Sequence, residues 1–497
     1  MKKYLLIPVV ALGLGFASCD DYLDINYDPN APSEMNLTTD LIFPAVEMNL
    51  ASSYGNYLRI VGGYYSQHFA QAFGTSNYLD YSQFTMSATR SSSLAYEQTN
   101  LSVLNNLKTV LSKAEAEEDW GTYFAATVIR AFTYQVMVDC YGELPYTEAL
   151  DPSNPTPKYD DGKTIYEGVL AEIDEAMAKV SETDLVCSNF LFPNQRADVW
   201  IQFANALKLK MLMRMSGVVD VQSKLDALVA EGNFPTEDIA FTDCWTDESG
   251  KMSPYYAEEF SSKWGSTQIN VIANIALVGT MQTDAYTDPR LAAFYETNES
   301  GKYAGGVSGT NFGATATYKS SYWCRPKASY DMPVYLITVP EIEFFLAEYY
   351  AKKGAHDVAA EHYAAAIEAS FAEFGVEGAA ANVAQNPYDN SNYKKSIGIA
   401  KWIALAGTNN YEAWCELRRL DYPAFGNVQG SDIYNVVNDA YNPDVYVPGT
   451  LYTPIDYFSQ VGVNKVLERF PYAESSSSRN TNAPKFPGYT EPVFWAK

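Results

Sequence analysis

Apolar residues recur three and four positions apart through much of the chain, which predicts amphipathic helices. Tyr166, Leu170, Ile173, Met177 and Val180 fall on one helical face. Trp200, Phe203, Leu207 and Met211 do the same in the next segment, and Ile342, Phe345 and Tyr349 in a third. Val358, His362, Ala366 and Phe371 continue a fourth stripe, and Trp414 and Leu417 mark a fifth. Helix starts are signalled by a hydroxyl or amide residue three positions before a glutamate. Thr164 with Glu167, Thr338 with Glu341, and Asn409 with Glu412 are such pairs. Pro340 suits a first turn, and Gly354 suits a stop.

The helices come in pairs with short connections: 100–115 with 121–139, 164–181 with 198–216, 338–353 with 357–374, and 394–406 with 410–421. Each pair resembles a tetratricopeptide-type hairpin, although no strict repeat period survives. One hairpin cannot bury its apolar face alone, so the four are expected to stack. The predicted fold is therefore mainly α: a tetratricopeptide-like scaffold of helical hairpins (100–139, 164–216, 338–374 and 394–421) with a large irregular, loop-rich insertion at 217–337. Within that insertion only Gln268–Met281 reads as helical. Residues 422–497 are loop-like, rich in Pro, Tyr and Ser. Irregular segments set in a repeat scaffold carry function more often than stability.

The first residues have a different pattern. Lys2 and Lys3 precede an apolar stretch from Leu5 to Phe16, too short to span a bilayer. Ala17-Ser18-Cys19 follows, then Asp20-Asp21. This reads as an export signal over 1–18, and a cysteine after two small residues resembles a bacterial lipoprotein cleavage site. Cys19 is then the lipidated first residue of the mature chain, 19–497. Loss of Lys2 and Lys3 takes the net charge from −26 to about −28. Such a surface repels phosphate backbones, so nucleic acid is excluded as a partner class. The remaining cysteines, Cys140, Cys187, Cys244, Cys324 and Cys415, are odd in number and form no C-x-x-C. Cys140 and Cys415, in apolar helical surroundings, are expected to be packed thiols.

Several further segments, in order, carry a resemblance. Asp20-Asp21-Tyr22-Leu23-Asp24-Ile25-Asn26 follows the cysteine, and Arg130-Ala131-Phe132 leads to Tyr141-Gly142-Glu143-Leu144-Pro145-Tyr146. Then come Trp200-Ile201-Gln202-Phe203-Ala204-Asn205, Asp288-Pro289-Arg290-Leu291, Glu341-Ile342-Glu343-Phe344-Phe345, Lys401-Trp402-Ile403-Ala404, Glu412-Ala413-Trp414 and Arg469-Phe470-Pro471-Tyr472. Together these resemble the SusD/RagB family of outer-membrane nutrient-binding lipoproteins of Gram-negative bacteria. The resemblance implies one SusD-like domain over 19–497, capture of glycan at the cell surface, and delivery to a SusC-like TonB-dependent porin. It implies attachment to the outer membrane through the lipid on Cys19. Some members take peptide, which is the alternative cargo.

Sugars are held by aromatic rings stacked on their C–H faces and by hydrogen bonds to hydroxyls. Trp200, Trp402 and Trp414 sit at helical spacing and are expected in the core, and Trp120 at a helix start. Trp245, Trp264 and Trp323 lie in the polar insertion, with Tyr303, Tyr318 and Tyr322 near Trp323 and Arg325 beside it. Phe73, Asn77, Tyr78 and Tyr81 surround an early Gly-Thr-Ser-Asn turn. The expected glycan contacts are Phe73, Asn77, Tyr78, Tyr81, Trp245, Trp264, Tyr322, Trp323 and Arg325; the competing role for each ring is to hold loops on the scaffold. Catalysis has little material. Glu341 and Glu343 point to different sides of a helix, and the sequence holds 3 His and neither G-x-S-x-G nor H-E-x-x-H. No cofactor is expected, and no calcium loop is present.

Overall fold

Thr338 and Asn409 cap helices as their positions predict. The side chain of Thr338 accepts from Glu341 N at 3.3 Å, and that of Asn409 from Glu412 N at 3.3 Å. Only half of each expected box forms, because both glutamate side chains turn inward to buried cations. The third start differs. In the computed structural model, which describes residues 37–72, 74–261, 270–311 and 322–496, the cap is Asp161. Its carboxylate accepts from Thr164 N at 3.0 Å and Thr164 Oγ1 at 2.7 Å. Capping by Asp161 starts the helix at Gly162, two residues earlier than expected. Asp161→Ala should therefore cost about 1 kcal/mol, while Thr164→Ala should cost less; paired denaturation curves distinguish the two.

The helices that frame the fold, among others, are in chain order α1 (Thr39–Ser52), α2 (Arg59–Tyr65), α3 (Asn105–Ala116), α4 (Trp120–Tyr141), α5 (Gly162–Met177), α6 (Ala197–Met215), α7 (Gln222–Glu231), α8 (Ile275–Met281), α9 (Val339–Lys352), α10 (His356–Glu373), α11 (Tyr393–Leu405) and α12 (Asn410–Leu420). The expected pairs 100–139, 338–374 and 394–421 pack as hairpins; α5, however, lies against α4 more than against α6. α1 and α2, joined through a π-helical turn at Ser53–Leu58, have no counterpart in the sequence reading, and α2 packs on α12. The insertion is also more ordered than expected. It contains α7 and short strands: β1 (Phe69–Gln71), from the early loop, pairs antiparallel with β3 (Val271–Ala273), and β2 (Ile239–Phe241) with β4 (Val334–Ile337). In the C-terminal region β5 (Phe425–Gln429) runs parallel to β8 (Leu451–Thr453), and β6 (Tyr434–Asn435) and β7 (Ala440–Tyr441) make a hairpin.

Trp200, Trp402 and Trp414 are buried in the main core, as expected. So are Cys140 and Cys415, both free thiols. At the centre of the stack lies a charged network. Lys210 on α6 meets Glu341 of α9 at 2.9 Å and Glu412 of α12 at 3.1 Å. Arg214 pairs with Asp139 and Glu412, and with Glu416 at 3.4 Å. Lys401 reaches Glu416 at 2.9 Å, and Arg419 reaches Glu348 and Glu416 at 2.6 Å each. Burial alone would raise the Glu416 carboxyl; Arg419, Lys401 and Arg214 outweigh it and hold the group well below its ordinary range.

Candidate functional site

The β1–β3 pairing brings the early loop onto the insertion. It continues past the strands: Ala72 N donates to Asn270 O at 2.9 Å, and Gly74 N to Asn311 O at 2.9 Å. A polar cluster forms beside this seam. Asn77 Nδ2 donates to Asn270 Oδ1 at 3.2 Å, and Asn270 Nδ2 to Glu259 Oε2 at 3.3 Å. The Tyr78 hydroxyl donates to Glu259 as well. Burial raises the Glu259 carboxyl, and the hydrogen bonds from Tyr78 and Asn270 partly offset that. Asn77 is exposed and Tyr78 half-buried, so this edge offers an amide and a ring to solvent.

A second element of the site lies between the insertion and the C-terminal loops. A cleft of about 840 Å³ is lined by Tyr303, Tyr322, Tyr441 and Tyr446, with Asn298 and Lys302 among the polar groups. Asn298 builds its wall. Its Oδ1 accepts from Ser300 N and Lys302 N at 3.0 Å each, and its Nδ2 donates to Tyr322 O at 2.8 Å. Tyr441 is anchored by its hydroxyl on Gly305 O at 2.9 Å. Position 305 must be glycine: a Cβ there would lie 2.4 Å from the backbone nitrogen of Ile275. Tyr322 is 36 % exposed and meets Trp323 edge-on at 4.8 Å, while Trp323 meets Tyr441 at 4.9 Å.

Burial corrects two expected contacts. Trp323 and Tyr81 are each 2 % exposed, so neither presents a ring face to solvent. Trp323 is wedged between Tyr322 and Tyr441 and orients both; Tyr81 stacks under Tyr78 at 5.8 Å and 14°. Arg325 is half-buried over the Phe260 ring, 5.0 Å from its centroid. Trp245 stands apart: its Nε1 donates to Phe241 O at 3.1 Å, and no hydrogen bond or ring contact among the described residues joins it to the cleft. Phe73, Trp264, Tyr318 and Cys19, the expected lipidation site, lie outside the described residues. Tyr441, Asn298 and Glu259 were not foreseen. Their neighbours come from distant parts of the chain, and no local spacing signals them.

The geometry suits binding of a flat, hydroxyl-rich ligand: rings held by edge contacts, with amide and carboxylate groups beside them. Paired-carboxylate chemistry at Glu341 and Glu343 has no shared face. Glu341 is buried against Lys210, and Glu343 meets His362 Nδ1 at 2.6 Å on the helix exterior. His68 is packed against Trp402, and burial pushes its pKa down to about 3. Among the described residues no group of three or more His, Cys, Asp and Glu is placed to hold a metal, and no helix is long and apolar enough to cross a membrane.

Residues 29–443 match the family described as SusD-like, starch-binding and associating with the outer membrane. No curated protein matches the chain. Among solved structures, a SusD homolog from Bacteroides uniformis shares 20 % identity over 91 % of this chain and 99 % of its own, with a TM-score of 0.73. A SusD homolog from Bacteroides thetaiotaomicron shares 17 % over 93 % and 99 %, at 0.69. A chitin-binding SusD homolog from Flavobacterium johnsoniae shares 18 % over 91 % and 98 %, at 0.67. These likenesses establish the fold, a helical scaffold with its loop-rich face.

Proposed function

We propose, from the premise that this chain belongs to the SusD-like family of starch-binding proteins that associate with the outer membrane, that it captures oligo- or polysaccharide at the cell surface and passes it to a SusC-like TonB-dependent porin. Lipid on Cys19 would tether it there, and Asp20-Asp21 behind it resembles the signal that sends such lipoproteins to the outer face. One observation carries the glycan reading: Tyr322 stands partly exposed in a large cleft, its ring braced by buried Trp323 and flanked by Tyr441. A braced ring loses little conformational freedom on stacking against a sugar. Asn77 and Tyr78 offer a second amide and ring on the early loop. The chitin-binding relative supports a carbohydrate cargo.

The test is affinity electrophoresis in gels carrying starch, soluble chitin derivatives and other polysaccharides. The intact protein should be retarded by at least one. Tyr322→Ala should weaken that binding by about 2 kcal/mol, near thirtyfold, as removal of a central ring contact does. Its unfolding midpoint should stay close to that of the parent. Retention by no glycan, with binding of peptide instead, would replace this reading with peptide capture.

A further inference from the structure

The tyrosine cleft has a charge sign as well as rings. Asp284, just after α8, and Asp444, just after the β6–β7 hairpin, both line it; among the described residues the cation lining it is Lys302. All three side chains are exposed, and among the described residues none takes part in an ion pair. The carboxylates therefore remain hydrated and available, with no buried partner to give up. The whole chain adds a negative background, at a formal −26. A uronate or sulfate ester entering here meets two carboxylates and that field, whereas an ammonium is drawn in by both.

We infer that this cleft selects glycans by charge: it takes oligosaccharides bearing protonated amino groups in preference to their N-acetylated counterparts, and it turns away uronic-acid and sulfated glycans. The inference rests on the reading of the cleft as a glycan site and specifies the class of glycan it takes. In the bound state the sugar ammonium donates to the carboxylates of Asp284 and Asp444, while the ring faces stack on Tyr322 and Tyr303. Lys302 is exposed on a flexible stem and can swing aside. Exposed carboxylate–ammonium pairs are individually weak, so the preference is set at roughly three- to tenfold in low salt and shrinks as salt is added.

Titration calorimetry on the full mature chain decides this, with glucosamine, N-acetylglucosamine and galacturonate oligomers of equal length as probes. The measurements are made at about pH 5.5, where the sugar amine is protonated. The glucosamine oligomer should bind roughly three- to tenfold more tightly than the N-acetylated one at low salt, and the galacturonate oligomer should not bind. The Asp284→Asn/Asp444→Asn variant should bring the two aminosugar probes to equal affinity, and Tyr322→Ala should weaken both. Equal affinities in the parent protein, or binding of galacturonate, would overturn the inference. So would a preference that survives in the double variant, or Tyr322→Ala binding both aminosugar probes as tightly as the parent, since that is attraction to the acidic surface at large. Tyr322-dependent binding of a neutral glycan without any amine preference leaves the glycan reading standing and removes only the charge selection. Binding of no glycan in either assay removes both.

Discussion

Arg214→Met is expected to lower the free energy of unfolding by about 3–5 kcal/mol, the usual cost of removing one partner of a buried charge network. Arg214 is 1 % exposed. It is the cation shared by Asp139 of α4 and by Glu412 and Glu416 of α12. Asp139 also accepts from Tyr166 Oη at 2.5 Å and Trp495 Nε1 at 2.7 Å, so the same junction ties α5 and the chain end. Methionine fills the volume but takes the ion-pair cation from Asp139 and leaves Glu412 and Glu416 with one cation fewer each, in a dry interior. The network is no simple source of stability, because each ion was desolvated to make it. Denaturant midpoints read by tryptophan fluorescence check the prediction. Glu412→Gln added to Arg214→Met should recover part of the loss, since Lys210 is then shared by two buried carboxylates, Glu341 and Glu412, and one of them is neutralised. A single variant that unfolds like the parent would sink the claim that these charges are mutually dependent.

Gly62→Ala should cost roughly 3 kcal/mol, the upper end for overpacking at a site that cannot yield. A Cβ at position 62 would lie 2.4 Å from the Tyr411 Cα, 2.6 Å from Asn410 O and 2.7 Å from Tyr411 N. These are backbone atoms of α12, so α2 must move as a body. α2 leads directly into β1 and the early loop, and the displacement should reach Asn77 and Tyr78. Thermal unfolding and glycan retention should therefore fall together. Gly217→Ala is the control: nothing lies within 4 Å of a Cβ there. That change should leave the midpoint unchanged or raise it slightly, by restricting the unfolded chain.

Both variants act where helices meet, and such meetings are what the sequence shows least. Glu341 and Glu412 stand three residues after Thr338 and Asn409, so local spacing assigns them to helix caps. The backbone half of each cap does form. The carboxylates instead meet Lys210 and Arg214, which come from a helix far away in the chain. Exposure of rings was hidden for the same reason. Trp323 and Tyr322 are adjacent in sequence and look equivalent, yet one is buried and the other lines a cleft. Tyr441 lies in a Pro- and Tyr-rich segment with nothing to mark it, and only packing sets it against Trp323. The early helices α1 and α2 carry weak local signals: α1 has Pro44 inside it and buries the acidic Glu47 among its apolar residues, and α2 holds Gly62 and Gly63, so neither shows a clean helical stripe.

Period, caps and stops along the chain were enough to determine the helical hairpins 100–139, 338–374 and 394–421, the burial of Trp200, Trp402 and Trp414, and the family. These depend on residues within a turn or two of one another, or on motifs strung in order. The tertiary structure alone decided which acids became a buried network, which tyrosines face solvent, and how the early loop joins the insertion. Each of those outcomes depends on contacts between segments distant in the chain, where burial and charge pairing are properties of the assembled fold.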